Sequence, residues 1–70
     1  METHEERVIA ERDMLEEKIE KLAWFLVGSP AFKAMSDMEQ TLLRAQIAAM
    51  HAYSHILHMR VLGFAANASA

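Results

Sequence analysis

Along the first third of the chain, Val8, Leu15, Ile19, Leu22 and Leu26 recur with Arg12 in the one polar place, in alternating steps of four and three. That alternation is the stripe of an amphipathic helix lying along a partner. Thr3 followed by Glu6 has the spacing of a capping box, in which hydroxyl and carboxylate satisfy free amides of a first turn. A helix is therefore predicted over about 4–27, with Gly28 as its stop and "GSP" breaking the chain. Ser29 caps a new start with Pro30 at the first helical position, where a missing N–H costs nothing, so "PAFKAM" reads as a short corner helix over about 30–35. Ser36 and Glu39 repeat the capping box and open a second long helix over about 37–62. Gly63 ends it, leaving 63–70 as a frayed tail. No β pattern, internal repeat or long linker is present. The fold class this predicts is all-α: a single domain, 1–70, built as an antiparallel helical hairpin with a short helix in its corner.

The second long helix carries two apolar seams. One is Met38, Leu42, Ala45, Ala49, Ala52, Ile56 and Met59; the other is Leu43, Ile47, Met50, Ser54, Leu57 and Val61. Their centres lie roughly 150° apart around the helix, so one hairpin can bury only one of them against its own first helix. The other needs a second chain, because an apolar stripe of that length left bare invites aggregation. Alanines permit close helix approach, so the alanine-rich seam is assigned to a subunit interface in a homo-oligomeric bundle. Trp24 falls roughly 160° from Val8 on the first helix; either the corner helix or another subunit covers it.

Composition strengthens the case for association. Seventy residues make a marginal core, and with no cysteine neither disulfides nor thiolate zinc can brace it. Yet 53% of the residues are hydrophobic, more than so small a surface can hide. The net charge of -3 argues against a DNA-binding protein held by phosphate neutralisation. No apolar run approaches the roughly 20 residues of a membrane span, and the charged start "METHEERVIAERD" lacks a signal-peptide segment. A soluble, cytoplasmic protein is the expectation, with no membrane partner and no cofactor.

Three histidines, His51, His55 and His58, share one face of the second helix within roughly 60° of each other. The first pair has a chelating i,i+4 spacing, but one helix cannot close a tetrahedral site and no acid completes it. They are weak metal candidates on a face that also carries Asp37, Gln40 and Arg44, and that face reads as the solvent side. His4, at a helix start, reads as solvated. A more telling set is Glu39, Gln46, Tyr53 and Arg60, which recur every seven residues in the gap between the two seams. Gln46 offers a bidentate amide, Tyr53 a stacking face with a hydroxyl, and Arg60 a planar fork for phosphate or carboxylate. Such a ribbon is either a hydrogen-bond network fixing subunit register or the lining of a cleft for a flat anion such as a nucleotide. Arg12 either snorkels to Glu16 or Glu5, or brings a second guanidinium to the cleft of Arg60. Lys18 and Lys21 share a stripe with Arg7, Met14 and Phe25, a modest basic flank. Catalysis has little support: there is no cysteine, no glycine-rich phosphate loop, and Ser54 and His55 are helix neighbours that do not face each other. The chain reads as non-enzymatic.

The order of these features resembles a group of short phage and prophage proteins related to a crAss-like phage protein. The resemblance is carried by Glu6-Arg7-Val8, Ala10-Glu11, Leu15, Glu17-Lys18, Lys21-Leu22, Phe25, Ser29-Pro30 and Phe32. It continues through Glu39-Gln40, Leu42-Leu43, Gln46, Met50, Tyr53-Ser54, Ile56-Leu57 and Arg60, covering about 5–61, and the histidines lie outside it. It implies a phage protein acting in the host cytoplasm and supplies no mechanism. Small oligomeric helical phage proteins are similar in architecture to the sponges that sequester cyclic nucleotide signals of bacterial immunity, the anti-CBASS and anti-Thoeris proteins. That analogy implies an anti-defence protein with a cyclic nucleotide or other small anionic signal bound by Arg12, Gln46, Tyr53 and Arg60 in repeated inter-helix clefts. The alternative is a protein-interaction or scaffold module that pairs through its spare seam.

Overall fold

The computed structural model describes residues 2–69, with side chains described through Ala66. Three helices follow one another: α1 (His4–Gly28), α2 (Pro30–Lys33) and α3 (Asp37–Ser69). Both predicted long helices and the corner helix are present, and α1 and α3 pack against each other as a hairpin.

The starts follow the capping chemistry of the sequence. The Thr3 hydroxyl accepts the Glu6 amide at 3.1 Å, and the Ser36 hydroxyl accepts that of Glu39 at 3.2 Å. Each such cap is worth about 1 kcal/mol. The ends differ from expectation. Gly28 is the last residue of α1 but has no positive φ, so it is not a left-handed stop. The helix ends because Pro30 pushes the residue before it out of the helical region: Ser29 sits at φ -75°, ψ 126°. Ser29 also makes no side-chain cap to α2, which is held by backbone bonds and by Pro30 at its first position. The corner helix is shorter than predicted, ending at Lys33.

The largest departure is at the far end. α3 does not stop at about Leu62 but runs through Gly63 to Ser69, across the segment expected to fray. A glycine inside a helix costs about 1 kcal/mol relative to alanine, which is a penalty and not a break. The alanines that follow are the best helix formers, and Phe64 gains a partner, its ring meeting that of His4 edge to face at 6.1 Å. His4 is exposed, as expected, and meets Phe64 with one edge of its ring.

The corner is organised by Gln40. Its side-chain amide donates to the carbonyls of Phe32 at 3.1 Å, which also accepts the Met35 amide, and of Met35 at 3.2 Å, just past the end of α2. Beneath it, buried Phe32 meets Phe25 edge to face at 5.9 Å, and the Arg44 guanidinium lies 5.3 Å from the Phe32 ring centre. Gln40 and Arg44 are therefore corner braces, not members of a plain solvent face.

The seam facing α1 is the one with Leu43, Ile47, Met50, Ser54, Leu57 and Val61. Leu57 is fully covered at 0% exposure, and the others are half-buried. The buried hydrophobic residues are few among those described: Val8, Ile19, Phe32 and Leu57. The hairpin is elongated, 52 × 21 × 16 Å, and exposes 5371 Å². A folded monomer of 7.9 kDa exposes roughly 4400 Å² by the usual mass scaling.

Candidate functional site

Tyr53 is the ribbon residue that the fold puts to use. It leaves α3 toward α1, and its hydroxyl donates to the Glu11 carboxylate. This joins positions 42 residues apart in sequence and ties α1 to α3 in the middle of the hairpin. The Tyr53 ring, Glu11, Met14, Leu15 and Lys18 line a groove cavity of about 180 Å³ between the two helices. The floor is apolar (Met14, Leu15), one rim carries an ammonium (Lys18), and the other holds the hydroxyl–carboxylate pair.

The electrostatics follow from that pair. The Tyr53 hydroxyl is pushed above its ordinary value, first by its hydrogen bond to Glu11, then by desolvation, then by the Glu11 charge. Removing its proton would set two anions side by side. Arg60 acts in the opposite direction and draws it down, so its guanidinium is near enough to be felt at the phenol. Two turns of helix separate Lys18 from Glu11, about 10 Å along the axis, and the same distance separates Arg60 from Tyr53. Among the described residues no carboxylate forms an ion pair with Lys18 or Arg60. Lys21 pairs with Glu17, one turn earlier on α1, at 3.4 Å.

The remaining sequence candidates are not gathered here. Arg12 reaches neither Glu5, Glu16 nor the Tyr53 cavity; its half-buried guanidinium pairs with Asp13 at 3.1 Å. Gln46 is exposed, and its amide points along its own helix to the Met50 sulfur at 3.9 Å, a weak contact. Glu39 lines a separate apolar hollow of about 270 Å³ with Met35, Leu42 and Leu43. His51, His55 and His58 are exposed, and no group of three histidine or acidic side chains among the described residues is placed to hold a metal. Glu11 was missed. Its signal was available in the stripe it shares with Arg7, Met14 and Lys18, once a partner is sought for the Tyr53 hydroxyl.

The alanine-rich seam is bare. Leu42, Ala45, Ala49, Ala52, Ile56 and Met59 are all exposed, as is Met38. Trp24 is 72% exposed, so the corner helix does not cover it. No helix among the described residues is long and apolar enough to cross a membrane.

Fold and site together define an all-α hairpin with a groove of apolar floor and charged rims along one flank and an uncovered apolar seam along another. The chain belongs to the Sequestin family, whose model matches residues 2–62, the span from the first cap to the end of the Arg60 turn. No curated protein and no solved structure matches it.

Proposed function

We propose that this protein is a non-enzymatic sponge: a homo-oligomer that holds a nucleotide-like anion in grooves between its helices without converting it. The observation that carries the reading is the Tyr53 groove, where Lys18 lines the cavity beside the aromatic ring and the Arg60 charge is felt at the phenol, neither cation being neutralised by a carboxylate ion pair among the described residues. A flat ring with anionic substituents is the chemistry such a groove fits. The family name, Sequestin, agrees with retention of a ligand and with a binding protein in place of an enzyme. A phage origin and an anti-defence role rest on the sequence resemblance and extend the same reading.

Association is supported by area. The chain exposes roughly 1000 Å² more than a compact monomer of its mass, and a standard interface takes about 800 Å² from each partner. The bare seam supplies apolar surface of that kind, and a second copy would place a second groove beside the first. The same seam favours a second reading, a scaffold module that pairs with a different protein. Native mass measurement separates the two: one sharp homo-oligomer supports the sponge, whereas a loose mixture that tightens on a stoichiometric foreign partner supports the scaffold.

The test of the sponge is thermal melting with a panel of cyclic nucleotides and ADP-ribose derivatives. A ligand at a hundred times its Kd stabilises by about 2.7 kcal/mol, a rise in Tm of at least about 10 °C for a domain this size. The expected result is such a rise with at least one compound, its loss in Arg60→Ala, and recovery of the compound unaltered. No rise with any compound, or an equal rise in Arg60→Ala, overturns the reading.

A further inference from the structure

Glu11 is out of place in a site for anions. Of the chain's ten acidic residues it is the one that lines the Tyr53 cavity. A carboxylate there repels any phosphate that Lys18 attracts, unless it does something for another part of the ligand.

Resting on the sponge reading, we infer that Glu11 is a specificity-determining residue that accepts a hydrogen bond from an N–H of the ligand's heterocyclic base. An ionised carboxylate offers about four acceptor positions, and the Tyr53 hydroxyl occupies one of them. That bond also holds the carboxylate in one orientation at the rim of the groove. Next to it come the Tyr53 ring and the apolar floor of Met14 and Leu15, which suit the faces of a flat heterocycle. Lys18 follows about two helical turns along α1, roughly 10 Å away. The order along the groove is acceptor, apolar slot, cation, and a nucleotide carries the complementary order of base N–H, ring and phosphate. The ligand class this selects is a base-bearing nucleotide. Sugar phosphates and inorganic phosphates find the cation but meet the carboxylate as a repulsion.

The prediction is a change of opposite sign for two kinds of probe. Binding of cyclic di-AMP, cyclic di-GMP and ADP-ribose, as base-bearing probes, is measured by calorimetry beside ribose 5-phosphate and inorganic pyrophosphate. In Glu11→Gln the best base-bearing probe is expected to weaken about tenfold or more, the worth of a charge-assisted bond, while the base-free probes bind equally or more tightly. Parallel losses would mean that Glu11 only braces Tyr53, and parallel gains that it only repels; either outcome overturns the inference while leaving the sponge standing. Should no probe bind the unsubstituted protein, the sponge and the inference fall together. If Glu11→Gln does not fold, Lys18→Ala and Tyr53→Phe decide. Lys18→Ala should weaken both kinds of probe. Tyr53→Phe, which keeps the ring and frees the carboxylate, should weaken the base-bearing ones alone, and an equal loss of the base-free probes in Tyr53→Phe overturns the inference.

Discussion

The two apolar seams of α3 keep the same alternation of four and three and meet opposite fates. Leu43, Ile47, Met50, Leu57 and Val61 face α1, with Leu57 completely covered; Met38, Leu42, Ile56 and Met59 are exposed. The difference between them is side-chain size. The seam used inside the hairpin has large residues at most steps, and these fill the gap between two helices that each bring long side chains. The bare seam has Ala45, Ala49 and Ala52 at its centre, where large residues would hold another helix at a distance. An intramolecular partner wants volume and an intermolecular one of close approach wants its absence. The hairpin therefore fills its own contact and leaves the other seam exposed, with only four hydrophobic residues buried among those described.

Neighbouring residues put the contrast to its strongest test. Leu57 and Ile56 have the same atoms but are 0% and 52% exposed. Leu57→Ala should cost about 2–5 kcal/mol, enough to unfold much of a chain with so small a core. In an isolated hairpin Ile56→Ala should cost within about 0.5 kcal/mol. If a second copy covers the bare seam, Ile56→Ala instead approaches the lower end of the Leu57 range, and the urea midpoint rises with protein concentration. Unfolding at two concentrations reads both. A neutral Ile56→Ala with a concentration-independent midpoint would make the bare seam ordinary surface.

Most of the fold was legible because the signals for it are local. Thr3 with Glu6, Ser36 with Glu39, and Pro30 each act within one turn, and they place the helix starts without knowledge of the rest. The end of α3 was misread because a glycine stops a helix only when the following chain turns away through a positive φ; Gly63 stays helical, and Phe64 has His4 to meet. Which seam faces inward was not legible from periodicity, since both have the same period; size was the clue. The site was half legible. Tyr53 stood out between the seams, but Glu11 could be paired with it only by knowing the hairpin's register, and Gln40 and the corner contacts set that register. Gln40 itself looked like surface because its partners, the carbonyls of Phe32 and Met35, come within reach only when the corner folds.

Ala49, at the middle of the bare seam, sharpens the comparison by charge. Ala49→Glu changes helix propensity by only a few tenths of a kcal/mol, so an isolated hairpin should hardly notice it. Across a close helix contact the same carboxylate is an unpaired buried charge costing about 3 kcal/mol or more, about a hundredfold in the dissociation constant. If the bare seam is an interface, native mass spectrometry should show a multiple of 7.9 kDa for the unsubstituted chain and its collapse toward the single chain in Ala49→Glu. An unchanged assembly would move the interface to another surface, with Trp24 the next place to look.

Tyr53, in the strip between the two seams, gives the smallest effect and the cleanest signal, because it is the chain's one tyrosine. Its hydroxyl titrates above the ordinary value of about 10 because the Glu11 bond favours the protonated form. A group whose pKa is higher folded than unfolded adds stability below the unfolded value and loses it as pH rises through the folded one. The tie between α1 and α3 at Glu11 should therefore hold through neutral pH and weaken above about pH 10. Tyrosinate absorbance should rise with a midpoint above that of the urea-unfolded chain, and Glu11→Gln should bring the two midpoints together. Thermal melts should show the unsubstituted protein losing stability relative to Tyr53→Phe as pH climbs through this range, since the phenylalanine has no proton to lose. Coincident midpoints in the folded and unfolded chain would mean that the hydroxyl spends its time in water and that the groove lacks its carboxylate rim. The effect would then belong to neither seam, and the register of the hairpin would rest on Leu57 and the corner alone.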